Sequence, residues 1–312
     1  MFGKRAPEAP RKIEGVFAAA ITPRRPGTCE IDLAAALELI DWLGARKIQG
    51  LVLLGSTGEF VHFGPEERSR LAHLGVKRSR VPVLVNVAHS TLDEAVQLGR
   101  NAADAGAAGL LLTPPYFFRY SDSEVVAFYR EFAAGLRRDV PLFLYNIPHF
   151  APGVSLECAD QLLGAGGFAG IKDSGGDWPY LQALLERKAQ QPFTLLVGND
   201  GLFLPARRAG ADGVVSGISS ALPELLLALE QVVKAQDTAG QEYLQNRLQE
   251  VISWLKKFPV PAGVKQMVAW RNVNAGPLAT PLSPQLAQTA GEFEQWFREW
   301  LPVVLEECRH AY

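Results

Sequence analysis

Eight short apolar runs recur along the chain at intervals of about 25–30 residues, and each is followed by a stretch with helical spacing. The runs cover residues 15–21, 50–54, 81–87, 110–112, 141–145, 168–172, 193–197 and 213–216. They are continuous and do not alternate with polar residues, which is the pattern of parallel strands covered on both faces. The intervening stretches read as helices. Residues 32–45 set Leu33, Leu37, Ile40 and Leu43 at helical spacing with Asp32 placed to cap, and residues 65–78 begin with a proline, which a first helical turn tolerates. Eight strand–helix units in about 220 residues predict an α/β fold, a (β/α)8 TIM barrel, and not a six-stranded doubly wound sheet.

The chain then divides into a polar tail over residues 1–13, the barrel over 14–238 and a C-terminal helical extension over 239–312. The extension predicts helices near 241–256, 264–270 and 285–307. In the last of them Phe293, Trp296, Phe297 and Trp300 fall at helical spacing, as a packing or subunit-interface face. Hydrophobic residues make up 48% of the 312, enough for a core of this size. Charged residues are 21% and the net charge is -2, so neither nucleic acid nor an anionic membrane is an expected partner. No run reaches the ~18 apolar residues that span a bilayer, and the Pro-rich N-terminal segment reads as a tail and not a signal peptide. Cys29, Cys158 and Cys308 lie far apart without paired spacing. They read as free thiols in a reducing compartment, which points to the cytoplasm. The histidines show no metal-binding spacing, so no metal is expected. The glycine-rich segment 164–170 precedes a strand, whereas a dinucleotide loop must follow one.

In such a barrel the chemistry gathers where the strands end. The sixth run ends in Lys172, followed at once by Asp173, Ser174 and two glycines. A lysine at the end of a buried strand is costly unless it is used. Burial disfavours a charged ammonium, and a neutral amine can attack a carbonyl. The alternative is a lysine that snorkels outward to pair with Asp173. The other runs bring Ser56, Thr57 and Glu59, then Tyr116, Tyr145, Gly198, Asp200 and Val215 to the same rim. Ser56 and Thr57, with their backbone N–H groups, suit a carboxylate or oxyanion, and the Tyr145 hydroxyl can relay a proton. Glu59 is expected to cap or brace its loop, Asp173 to position the loop beside Lys172, and His149 to line the pocket or stand in solvent.

These residues resemble the pyruvate-dependent class I aldolase and lyase family that includes dihydrodipicolinate synthase and N-acetylneuraminate lyase. The matching motifs are GSTGE at 55–59, TPPYF at 113–117, YNIP at 145–148 and GIKDS at 170–174, in family order within about 15–281. The resemblance implies a Schiff base between Lys172 and the keto carbon of a 2-oxo acid, usually pyruvate. Ser56 and Thr57 would hold the carboxylate. Tyr145 would be the general acid/base, with Thr57 and Tyr116 continuing a proton relay and Tyr116 reaching a neighbouring subunit's site. The Val215 carbonyl, Gly198 and Asp200 would complete substrate binding. The resemblance implies no cofactor, an aldehyde as second reactant or product, and a homotetramer built as a dimer of dimers.

The departures bear on substrate. Dihydrodipicolinate synthases carry an arginine at the position of Phe150, so aspartate semialdehyde is disfavoured. Sialate lyases carry an acid and a serine at the positions of Gly201 and Gly217, so sialic acid is disfavoured too. The KDSGG run resembles 4-hydroxy-2-oxoglutarate aldolases and 2-keto-3-deoxy sugar acid enzymes. The expected function is therefore a Schiff-base aldolase or lyase that yields pyruvate. The alternatives are a 2-keto-3-deoxy sugar acid dehydratase and a 4-hydroxy-tetrahydrodipicolinate synthase. A non-catalytic 2-oxo acid binding protein is the alternative of another class, and the joint presence of Lys172, Tyr145, Thr57 and Tyr116 argues against it.

Overall fold

The strands form on the β-branched and leucine-rich runs, and most of them are shorter than or equal to the run. The computed structural model describes residues 12–28 and 30–310. Its strands are β1 (Gly15–Ala19), β2 (Gly50–Leu53), β3 (Val83–Asn86), β4 (Gly109–Leu112), β5 (Leu142–Asn146), β6 (Gly170–Asp173), β7 (Thr194–Val197) and β8 (Gly213–Ser216). Each pairs in parallel with the next, and β8 returns to β1, so the sheet closes into a barrel. Apart from Thr194 every strand residue is buried, which is why the runs do not alternate. The sixth run loses its first two residues because pairing begins at Gly170, where a Cβ would lie 2.0 Å from the Thr194 carbonyl oxygen.

The barrel helices are α1 (Leu33–Ala45), α2 (Pro65–Arg78), α3 (Leu92–Ala105), α4 (Asp122–Leu136), α5 (Leu156–Gly164), α6 (Trp178–Gln190), α7 (Phe203–Arg208) and α8 (Pro223–Lys234). Asp32 caps α1 as expected, with its Oδ1 accepting from the Ala35 N–H at 3.1 Å. Ser121 and Glu124 form a capping box at α4. These helices cover the outer face of the sheet.

A second core fills the barrel interior, where Phe17, Leu84, Phe143 and Leu196 meet Tyr145. Two large rings fit because glycines open the strands beside them. A Cβ at Gly50 would lie 2.0 Å from the Phe17 ring, and one at Gly109 would lie 2.9 Å from that of Phe143. Burying each ring contributes about 2–3 kcal/mol. Ile13, read from sequence as the end of the tail, is buried in this interior set just before β1. The rest of the tail up to residue 11, and Cys29, lie outside the described residues.

Three more helices follow: α9 (Thr238–Leu255), α10 (Ala262–Trp270) and α11 (Pro284–His310). The aromatic face of α11 turns inward. Phe293 stacks on Trp254 with ring centroids 5.2 Å apart and meets Trp270 edge-on at 4.9 Å. Phe293 and Phe297 have no exposed surface, so this part of the face packs the extension together. No described helix is long and apolar enough to cross a membrane.

Candidate active site

Pairing of β5 with β6 sets Tyr145 opposite Lys172. Neighbouring strands in register put both side chains on the same face of the sheet, here the interior. Lys172 is 3% exposed and Tyr145 is fully buried. The Lys172 Nζ stands 3.9 Å from the centroid of the Tyr145 ring. The Tyr145 hydroxyl lies 3.1 Å from Ser56 Oγ, which arrives from the turn after β2. The end of β7 must be glycine at this point. A Cβ on Gly198 would lie 1.9 Å from Ser174 Oγ and 3.0 Å from Lys172 Cε.

Asp173 does not neutralise the lysine. Its Oδ1 accepts from Asn146 Nδ2 at 2.7 Å and from the Gly175 N–H at 3.1 Å. Asn146 Oδ1 in turn accepts from the Val154 N–H at 3.0 Å. Asp173 and Asn146 therefore tie the loop after β6 to the loop after β5. Burial pushes the Asp173 carboxyl up, against the hydrogen bonds from Gly175 and Asn146. The snorkelling alternative for Lys172 gives way to a buried amine.

The Tyr145 phenol is held below its ordinary value. Burial alone would raise it, but the charge of Lys172 and hydrogen bonds with Lys172, Ser56 and Ser174 outweigh burial. A buried phenol shifted in this direction releases its proton more readily, as a proton-transfer group near neutral pH should.

Asp200 follows β7. It is half-buried as a residue, yet its Oδ1 is closed off from solvent and has no hydrogen-bond partner. Burial raises the carboxyl to about 6, opposed by hydrogen bonds from the Ser216 side chain and the Ile218 backbone and by the charge of Lys172. A carboxyl raised in the folded state favours the protonated form there. It costs nothing below its unfolded value near 3.8, and its penalty grows as pH rises to about 6 and is complete above that. Asp200→Asn is therefore expected to stabilise the protein by about 3 kcal/mol at pH 7.5 and to lose that advantage towards pH 4. Urea unfolding at the two pH values measures the difference.

A cavity of about 430 Å³ opens at this end of the barrel and brings together Ser56, Thr57, Lys172, Gly198, Asp200 and Val215. A neighbouring pocket of about 340 Å³ shares Ser56 and is lined by Tyr145, Tyr116 and Thr113. Ser56 meets the Tyr145 hydroxyl, and Thr57 turns toward the end of β8, where a Cβ on Gly217 would lie 3.1 Å from its Oγ1. Tyr116 is half-buried, with its ring edge-on to Phe60 at 5.5 Å. The projecting residue is Phe117, 88% exposed and at a φ of 82°. A bulky side chain in that left-handed region persists only where its surroundings enforce it.

Other contributors were not singled out from sequence. Ser174 and Asn146 stand inside the GIKDS and YNIP motifs, so their motif membership was an available signal. Phe258, Val260 and Val264 wall the cavity from the segment joining α9 to α10 and from α10 itself, and no local pattern marks them. His149 and Phe150 line the cavity and are exposed at its mouth. Among the described residues no group of three or more His, Cys, Asp or Glu side chains stands together to hold a metal.

Residues 12–299 match the dihydrodipicolinate synthetase family. A 4-hydroxy-tetrahydrodipicolinate synthase of Methanothrix thermoacetophila is 32% identical over 274 residues, 86% of this chain and 91% of that protein. The solved structure of the 4-hydroxy-tetrahydrodipicolinate synthase of Methylacidiphilum fumariolicum SolV superposes with a TM-score of 0.85 at 27% identity, covering 96% of this chain and all of that one. YagE, a prophage protein of E. coli K12 solved in complex with pyruvate, has the same fold, with a TM-score of 0.84 at 24% identity over 92% of this chain and 98% of its own. A closed eight-stranded barrel, a buried lysine beside a tyrosine of the adjacent strand, and these likenesses agree: the chain belongs to the dihydrodipicolinate synthetase family of lyases.

Proposed function

We propose that the protein is a Schiff-base lyase that cleaves or forms a carbon–carbon bond in a 2-oxo acid, with pyruvate as the enamine component. The observation that carries this reading is the buried Lys172 amine 3.9 Å from the ring of a tyrosine whose hydroxyl meets Ser56. Lys172 Nζ adds to the keto carbon, and loss of water leaves a protonated imine. Ser56 Oγ and the backbone N–H groups of Ser56 and Thr57 take the carboxylate, with the Val215 carbonyl as a further contact. In the cleavage direction Tyr145 accepts the proton of the hydroxyl two carbons beyond the imine carbon. The carbon–carbon bond breaks, its electrons pass into the imine as an enamine, and an aldehyde leaves. Protonation of the enamine and hydrolysis return pyruvate and the free amine.

The 2-oxo acid that is cleaved is of the 2-keto-3-deoxy sugar acid or 4-hydroxy-2-oxoglutarate type, and the aldehyde is the fragment left beyond pyruvate. Phe150 at the mouth offers no cation to a second carboxylate, which argues against aspartate semialdehyde. Condensation with that aldehyde is the second reading, favoured by the name of the Methanothrix relative. Assembly as a homo-oligomer, a dimer of dimers, is supported by Phe117 and Phe118, which pack edge-on at 5.1 Å and stand 88% and 63% exposed. The buried free thiols of Cys158 and Cys308 suit a cytoplasmic setting.

Borohydride reduction in the presence of pyruvate tests the chemistry. Intact mass should increase by one pyruvate, less a water, plus two hydrogens, and no increase would exclude the imine. A panel of 2-oxo acids scored separately for pyruvate release and for water loss then distinguishes aldolase from dehydratase.

A further inference from the structure

The turn that carries Ser56 and Thr57 ends on Glu59, which is 5% exposed and holds a left-handed φ of 54°. A glutamate adopts that conformation only where its surroundings enforce it. The enforcing group comes from the C-terminal extension. Lys265 of α10 is 1% exposed, and its Nζ lies 2.8 Å from Glu59 Oε2. The same ammonium donates to the carbonyls of Thr22 and Pro277, each at 3.3 Å. All three of its donors are thereby used. His62 Nδ1 stands 3.4 Å from the other Glu59 oxygen, and Thr22 Oγ1 donates to the Gly58 carbonyl at 2.7 Å. One buried ammonium thus ties together the end of β1, the turn after β2, α10 and the chain near residue 277.

A buried ion pair is a poor way to gain stability, since two apolar residues in the same space often do as well or better. What the pair adds is a fixed position for each partner. Burial pulls the Lys265 ammonium below its ordinary value despite the opposing carboxylate of Glu59, so the fold maintains this charge at some cost. Gly263 and Val264, two and one residues before Lys265, line the cavity that contains Lys172. The helix that walls the cavity therefore also pins the turn that faces it.

We propose that Lys265 is a positioning residue which, acting through Glu59, holds Ser56 and Thr57 in place to receive the carboxylate of the 2-oxo acid. This inference rests on the Schiff-base reading above. It assigns to the C-terminal extension a part in substrate binding, beyond packing on the barrel.

Lys265→Met and the double variant Glu59→Gln/Lys265→Met test it. Borohydride trapping at graded pyruvate concentrations gives the half-saturating concentration and the maximal rate, and a melting curve follows the fold. Lys265→Met strands a buried carboxylate and should melt earlier, while the double variant removes both charges and should recover most of the loss. The half-saturating pyruvate concentration should nevertheless stay about tenfold raised in the double variant, with the maximal trapping rate changed by less than about threefold. If it returns to the wild-type value together with the melting temperature, the pair is merely structural and the inference is overturned. If the wild-type protein forms no adduct, the Schiff-base reading fails first, and this inference with it.

Discussion

Lys172→Met protein is expected to form no pyruvyl adduct under borohydride and to lose pyruvate release on the order of 10⁴-fold or more, the scale seen when a covalent nucleophile is removed. Loss of the fold would not explain such a result. Lys172 is 3% exposed, and among the described residues no side-chain hydrogen bond depends on it beyond that with the Tyr145 hydroxyl. An unbranched apolar residue of similar length fills its space and removes a buried charge, so the melting temperature should hold or rise. Lys256 also lines the cavity, but it is exposed at the end of α9. Peptide mapping of the trapped wild-type adduct separates the two amines. An adduct on Lys256, or one that survives Lys172→Met, would refute the role assigned to Lys172.

Tyr145→Phe should lower kcat by about 10² to 10⁴, the usual worth of a positioned acid/base, while the imine with pyruvate still forms at a reduced rate. The ring remains, so the contact with the Lys172 ammonium at 3.9 Å survives. What disappears is the hydroxyl that meets Ser56. The pH profile gives a signature that a packing role would not. Because Lys172, Ser56 and Ser174 outweigh burial and hold the Tyr145 phenol below 10, cleavage by the wild-type enzyme, in which Tyr145 accepts a proton, should gain rate as pH rises through a value below 10. That rising limb should be absent from the phenylalanine variant. Its persistence would assign the limb to another group and leave Tyr145 without a proton-transfer role.

Most of the scaffold was legible because its signals are local. A strand covered on both faces shows itself as a short continuous apolar run, and residues 65–78 and 213–216 read from sequence coincide with α2 and β8. The extension was legible for the same reason, from the 3.6-residue spacing of its aromatic residues. Spacing alone could not say which way that face turned. Phe293 packs between Trp254 and Trp270, which lie 39 and 23 residues earlier in the chain, so the inward direction emerges only on folding.

For the site, the sequence by itself determined which residues reach the rim. Parallel strands in a closed barrel all end on one side, so counting strands brings Lys172, Tyr145, Ser56, Gly198, Asp200 and Val215 to a common face without coordinates. Only the tertiary structure decided how they meet there. Ser56 and Thr57 are chemically interchangeable neighbours, and the one that faces Tyr145 depends on a turn bounded by Leu54 and Glu59, at φ of 59° and 54°. Glu59, at the end of that turn, is held by Lys265, more than 200 residues further along the chain. Periodicity reports what lies within a turn or two of a residue, whereas the aim of a side chain is set by whatever the fold brings against it. The pattern of apolar runs therefore placed the lysine that opens the chemistry, and packing of the C-terminal helices shaped the cavity around it.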